Sequence, residues 1–226
     1  MQLHFHLLLV VLSLLSRLSL LTGARSALLS TDTDASGNIR ISVFSTTDSA
    51  AKSSDCYPLA KPGCNFRSAW AACQQQEASG LAMTCTIALP VNGSSISMNT
   101  KSYGSLVLDS SRIITVEGNN ATVAPSLGSS TRLFYFNGDA SSASATYSAM
   151  SLYGMTLRGF GSSSNDGGTV YIHGDCFVSL ANVTIADSLG RYGGSMYMTN
   201  NSLGLAIDGC SFESCKATNG GVSGSA

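Results

Sequence analysis

Charge is the scarcest commodity in this chain. Only 11% of its 226 residues are Asp, Glu, Lys or Arg, with 12 basic groups against 13 acidic ones. That balance excludes the basic stripe of a nucleic-acid binder, and 44% hydrophobic residues exclude a disordered tail. Histidine is nearly absent: beyond the first few residues there is only His173. None of the cysteines stands in a C-x-x-C pair, so thiol-based zinc binding is not expected. No Gly-Lys-Ser/Thr follows the glycine pairs, which removes the phosphate loop. After the N-terminal segment no apolar run reaches spanning length, so no membrane span is expected in the mature chain.

What is present begins with an address. Leu7 to Leu21 is almost wholly Leu, Val and Ser, broken by Arg17, and Ala24, Ser26 and Ala27 follow. An apolar core followed by small residues predicts a signal peptide over 1–26, cut after Ala24 or Ser26 rather than retained as an anchor. Its removal leaves ten basic and thirteen acidic groups, a formal charge of −3. Residues 27–55 are rich in Ser, Thr and Asp and are expected to be a flexible lead-in to a single unit over 56–226. Four N-x-S/T sequons, at Asn92, Asn120, Asn182 and Asn200, are glycosylation candidates in an exported chain. Seven cysteines fit an oxidising compartment. Four of them, Cys56, Cys64, Cys73 and Cys85, cluster near the mature N-terminus, where two bridges have three connectivities.

From Met150 onward the chain repeats itself every 26 to 28 residues. The segments Met150–Leu157, Val178–Ile185 and Leu205–Phe212 align so that Met150, Val178 and Leu205 share one column. Leu152, Leu180 and Ile207 share the next, followed by Met155, Val183 and Cys210, and by Leu157, Ile185 and Phe212. Every one of these positions is apolar, and the intervening Ser151, Ser179 and Ala206, then Thr156, Thr184 and Ser211, are small or polar, the period-two alternation of a strand with one buried face. Cys210 is therefore expected to be a buried thiol. Gly154, Asn182 and Gly209 fall at one corner of each copy, and both residue types tolerate positive φ.

The pairs Gly167-Gly168, Gly193-Gly194 and Gly220-Gly221 recur on the same period. The first two precede short strands in which Tyr171 and Tyr197 point away from the core and are expected to stack as an external ladder. Upstream, six short apolar runs between Thr86 and Phe136 are punctuated by Gly, Asn, Asp and Ser. Before them, Phe66, Ala69, Trp70 and Cys73 share one helical face, suited to plugging the open end of a β stack. The last repeat has no capping element before Ala226, and the expectation is a C-terminally truncated stack.

Cys64, Phe66, Arg67 and Ala69 in Gly63–Cys73, followed by Thr86-Ile-Ala-Leu-Pro90, resemble the C-S-L-R-E-A motif and T-I-x-L-P strand of secreted β-helix proteins. Ile114–Val123 is similar to the I-x-I-x-G-x-G-A-T-I coil of the pectin-lyase-like superfold. The glycine pairs resemble the G-G-A-I element of chlamydial polymorphic outer membrane proteins. The resemblance implies an all-β chain, a right-handed parallel β-helix (solenoid) with an N-terminal capping helix. It also says where chemistry would sit: enzymes of this superfold carry acids, with Ca²⁺ and an Arg or Lys base, on outward faces of adjacent strands.

Those positions here hold mainly Ser, Thr, Ala and Tyr. Asp187, Asp208 and Glu213, with Arg158 and Arg191, are read as solvated turn charges, and His173 as a surface histidine. No catalytic residue, metal or cofactor is therefore expected. The reading is a secreted or cell-surface repeat protein with a structural or adhesive role, whose partners are extracellular polysaccharide or cell-surface proteins. The alternative is a polysaccharide-active lyase, hydrolase or epimerase.

Overall fold

The computed structural model describes residues 38–56, 61–75, 84–91, 93–108, 113–126, 131–138, 148–199 and 204–219. The signal segment, Asn92, Asn200 and the Gly220-Gly221 pair lie outside the described residues.

Parallel pairing alone organises these strands. Strands β1 (Ile39–Ser42), β2 (Thr84–Ala88), β3 (Ser95–Met98), β4 (Leu106–Leu108), β5 (Ile113–Glu117), β6 (Thr122–Pro125) and β7 (Phe134–Gly138) are short. Two long strands follow, β8 (Ser148–Arg158) and β10 (Cys176–Ala186), each bent at the corner the sequence marks. Between and after them come β9 (Val170–Gly174), β11 (Leu189–Gly190), β12 (Met196–Met198), β13 (Gly204–Asp208), β14 (Ser211–Glu213) and β15 (Lys216–Ala217). One ladder runs β1-β2-β5-β8-β10-β13. A second joins β3, β6, the distal halves of β8 and β10, and β14. The third is β4-β7-β9-β12. The chain is thus a parallel β-solenoid of four coils and the start of a fifth among the described residues.

The register is the one the repeat demands. Leu180 lies between Leu152 and Ile207, Val178 between Met150 and Leu205, and Ile185 between Leu157 and Phe212. Inward columns fill the interior, where Ile87, Val116, Leu152, Phe134, Phe136, Val170 and Ile185 are fully buried. The corner residues Gly154, Asn182 and Gly209 have φ of 56°, 53° and 58°, so one left-handed turn is built three times.

The glycine pairs do two different jobs. Gly167 and Gly193 adopt φ of 65° and 61°, which turns the chain into β9 and β12. Gly168 and Gly194 let one coil lie directly on the next. A Cβ on Gly168 would stand 2.0 Å from the Gly194 carbonyl oxygen, and one on Gly194 2.6 Å from the Lys216 backbone.

The apolar helical face forms as its spacing predicts. Helix α1 (Phe66–Gln75) buries Phe66, Ala69, Trp70, Ala72 and Cys73, and the side chain of Asn65 accepts the Ser68 amide at 2.8 Å to cap it. The helix packs on β1, β2 and β4 at the N-terminal end of the stack. There Phe66 and Trp70 meet Phe134, ring centroids 6.3 and 5.5 Å apart. Of the three connectivities, the bridges are Cys56–Cys64, closing the loop before the helix, and Cys73–Cys85, joining helix to first coil.

Two expectations need correction. The lead-in is not flexible where it is described. Ile39, Ile41 and Val43 alternate with Arg40 and Ser42, are buried, and pair β1 with β2 in parallel. Bridges Ser45–Asn65 and Thr47–Ser97 continue the docking. Those residues cover an edge of the first coil that would otherwise leave amides unpaired. Cys210 does occupy the stacking region, yet it is only half-buried. No described coil covers the last rung, so Leu205 and Ile207, inward by register, remain 38% and 48% exposed.

Candidate functional site

The chemistry available to a solenoid lies on its outward columns. On the first ladder the charged outward residues are Arg40, Glu117 and Asp208, of which Arg40 and Glu117 form a two-pronged pair at 2.7 and 2.5 Å across an intervening rung. The hydrogen bonds from Arg40 hold the Glu117 carboxyl below the usual carboxylate range, and Glu117 raises Arg40 in return. Because the Glu117 pKa is lowered on folding, its contribution is present above the unfolded carboxylate pKa and lost as pH falls through the folded one. Both side chains are substantially exposed, so the effect is small. Arg40→Gln should therefore lower stability slightly at neutral pH, and the difference from the parent should vanish as pH falls through the folded Glu117 pKa, read as urea midpoints at neutral and at acid pH.

Two of the acids that the sequence offered for catalysis, Asp187 and Glu213, lie on or beside the second ladder. Arg158 and Asp187 form an exposed pair at 3.0 Å, with Asp187 in a left-handed turn, φ 53°. Glu213 accepts a hydrogen bond from its own strand neighbour Ser211 at 3.0 Å, while Asp208, at the end of β13 on the first ladder, is exposed to solvent. An acid and a base facing one substrate atom are not assembled by these residues; each charge is neutralised locally or solvated. Among the described residues no group of three His, Cys, Asp or Glu could hold a metal ion.

The third ladder is different in kind. Tyr135, Tyr171 and Tyr197 stand in register on β7, β9 and β12. Their rings stack at 5.3 and 5.7 Å with interplanar angles of 11° and 28°. Tyr192 leans on Tyr197 at 6.2 Å. The Arg132 guanidinium lies 4.7 Å from the Tyr171 ring centre and 5.5 Å from that of Tyr135. Burial lowers the Arg132 pKa, and burial likewise raises that of Tyr171. Beside them Arg191 grips Asp166 with two hydrogen bonds, 2.8 and 3.0 Å, which hold the Asp166 carboxyl below its ordinary range. His173, one alternation further along β9, shares a hydrogen bond with Thr199 at 3.1 Å.

At the N-terminal end of this column, β4 places Val107 beside Tyr135. An open cleft of about 310 Å³ begins there, lined among others by Trp70, Gln74, Tyr103 and Val107. The Val107 carbonyl accepts hydrogen bonds from Trp70 Nε1, at 2.7 Å, and from Gln74 Nε2. Deeper lies a buried ion pair. Arg67 binds Asp48 through Nε at 3.0 Å and Nη2 at 3.0 Å and reaches the Tyr103 carbonyl at 3.1 Å. Asp48 also accepts the Asn99 amide at 2.8 Å. This knot ties lead-in, helix and first coil together.

The tyrosine ladder was legible at Tyr171 and Tyr197. Tyr135, Arg132, Asp166 and Tyr192 were missed as members of that face. Of the sequon asparagines, Asn120 and Asn182 are described; both are exposed, with φ of 62° and 53°. Among the described residues no helix is long and apolar enough to cross a membrane. No family model matches the chain, and neither a curated protein nor a solved structure matches it.

Proposed function

We propose that the chain is an exported, cell-surface or secreted β-helix module with a structural or adhesive role, displaying its outward faces rather than catalysing a reaction on them. One observation carries the reading. Among the described residues, six charges are spent on one another, Arg40 with Glu117, Arg158 with Asp187 and Arg191 with Asp166, while Asp208 and Glu213 are exposed to solvent. A lyase or hydrolase needs an acid and a base held free across a substrate. The two disulfides fit an oxidising compartment, and the exposed Asn120 and Asn182 would be open to glycosylation. The resemblance of Gly63–Cys73 and of the glycine pairs to secreted β-helix proteins points the same way.

Purified protein incubated with polygalacturonate or alginate, with and without Ca²⁺, should release no unsaturated sugar product. Product formation abolished by Asp187→Ala or Arg158→Ala would replace this reading with the enzyme alternative. Export is tested separately, by expressing the full chain in a eukaryotic secretory host. The medium should hold a chain that begins after Ala24 or Ser26 and loses mass on treatment with an N-glycosidase.

A further inference from the structure

We infer that the tyrosine ladder is a site of oxidative cross-linking, in which Tyr171 forms a carbon–carbon bond with Tyr135 or Tyr197 of the same chain. The co-reactant is hydrogen peroxide acting through a haem peroxidase.

Three in-register rungs bring these phenols together without any side chain having to search. Tyr135 and Tyr171 are 5.3 Å apart and within 11° of parallel; Tyr171 and Tyr197 are 5.7 Å apart and within 28°. All three are half-buried, so each ring has one part held by the stack and another open to an oxidant. Arg132 lies over the first two rings and braces them. The other described tyrosines lack this arrangement. Tyr103 and Tyr153 are each 42% exposed, yet among the described residues neither has a contact with another aromatic ring. Tyr192 meets Tyr197 only at a 36° tilt and 6.2 Å. Reactivity by exposure alone would therefore favour Tyr103 and Tyr153, whereas reactivity by proximity favours the ladder.

The step balances. The activated peroxidase takes one hydrogen atom from each of two phenol O–H groups, and the peroxide is reduced to two waters. The two phenoxyl radicals join through their ortho carbons. Each ring then loses its ortho proton and regains one on oxygen, restoring both phenols. The net loss is two hydrogen atoms per link. A tyrosine phenol, with an ordinary pKa of about 10, carries its hydrogen at neutral pH, so the hydrogen is available to be abstracted. Fixing two radicals on adjacent rungs converts a bimolecular coupling into an intramolecular one, the large proximity advantage of a preset geometry. The product would staple neighbouring coils along one face, a covalent lock that the disulfides supply only at the N-terminal end.

The experiment treats dilute, disulfide-intact protein with horseradish peroxidase and limiting hydrogen peroxide. It follows dityrosine fluorescence, then maps linked tryptic peptides by mass spectrometry. Monomeric product should carry the fluorescence, with the peptide holding Tyr171 joined to that holding Tyr135 or Tyr197. Tyr171→Phe, which keeps the stacked ring, should lose the monomer signal, and Tyr153→Phe should leave it unchanged. Tyr135→Phe and Tyr197→Phe should each remove one of the two linked species. Coupling that survives Tyr171→Phe, or that runs only between molecules through Tyr103 or Tyr153, would overturn the inference. Neither outcome bears on polysaccharide cleavage or export, so the proposed function stands or falls separately.

Discussion

Gly168→Ala should destabilise the protein by about 3 kcal/mol or more, the upper end of what overpacking costs, because nothing near the new methyl can swing aside. It would meet the Gly194 carbonyl oxygen at 2.0 Å and the Leu189 carbonyl oxygen at 2.9 Å, and all of these are backbone atoms. The Gly168 amide also donates to the Gly193 carbonyl at 3.1 Å, so separating the coils breaks a rung of the ladder. Gly154→Ala is the contrasting variant. Its φ of 56° imposes the left-handed penalty of about 1–2 kcal/mol, but a Cβ there meets nothing within 4 Å. Gly154→Asn should cost less still, since Asn182 holds the same corner one coil later at φ 53°. Urea unfolding at fixed pH, comparing midpoints at constant slope, ranks the three.

Arg67→Ala is the other large effect, with an expected cost of about 3–5 kcal/mol from leaving a buried carboxylate without its partner. The Asp48 side chain is 1% exposed and that of Arg67 7%, so water cannot replace the lost hydrogen bonds without opening the helix–coil junction. Arg67→Lys should fall between, because an ammonium keeps the charge but cannot form the guanidinium fork that engages Asp48 and the Tyr103 carbonyl together. The double variant Asp48→Asn with Arg67→Met should recover part of the loss. A cycle built on urea midpoints gives the coupling directly; strictly additive costs would mean that the pair contributes nothing as a pair.

The two sites differ in how far they could be read beforehand. The stack from Met150 to Phe212 was legible because adjacent coils are nearly equal in length. Phe177 lies beside Ala149, 28 residues back, and beside Gly204, 27 residues on. Helix α1 was legible because Phe66, Ala69, Trp70 and Cys73 mark one face. Tyr135 was not placed under Tyr171 because the coil between them is longer: Phe134 pairs Val170, 36 residues on. An alignment by fixed period slides past an insertion of that kind, though the inward-outward alternation of Phe134, Tyr135 and Phe136 survives it.

Strand β1 escaped for another reason. Four residues, Ile-Arg-Ile-Ser, are too short a run to stand out within a Ser- and Thr-rich stretch, and their partner strand begins at Thr84. Asp48 is one acid among several in that stretch, and only the fold shows that it is the one buried against Arg67. Cys210 was misjudged because an inward position implies burial only when a further coil covers it.

The most direct test of the account is an isotope-edited NOESY spectrum of the folded protein, read for contacts between backbone α-protons and amides of different coils. The parallel solenoid predicts that Ser179 contacts both Ser151 and the Ala206 neighbourhood, and that Tyr171 contacts both the Tyr135 and Tyr197 neighbourhoods, all in one register. Antiparallel contacts among these segments, a register shifted by one residue, or no contact between Ser151 and Ser179 would contradict it.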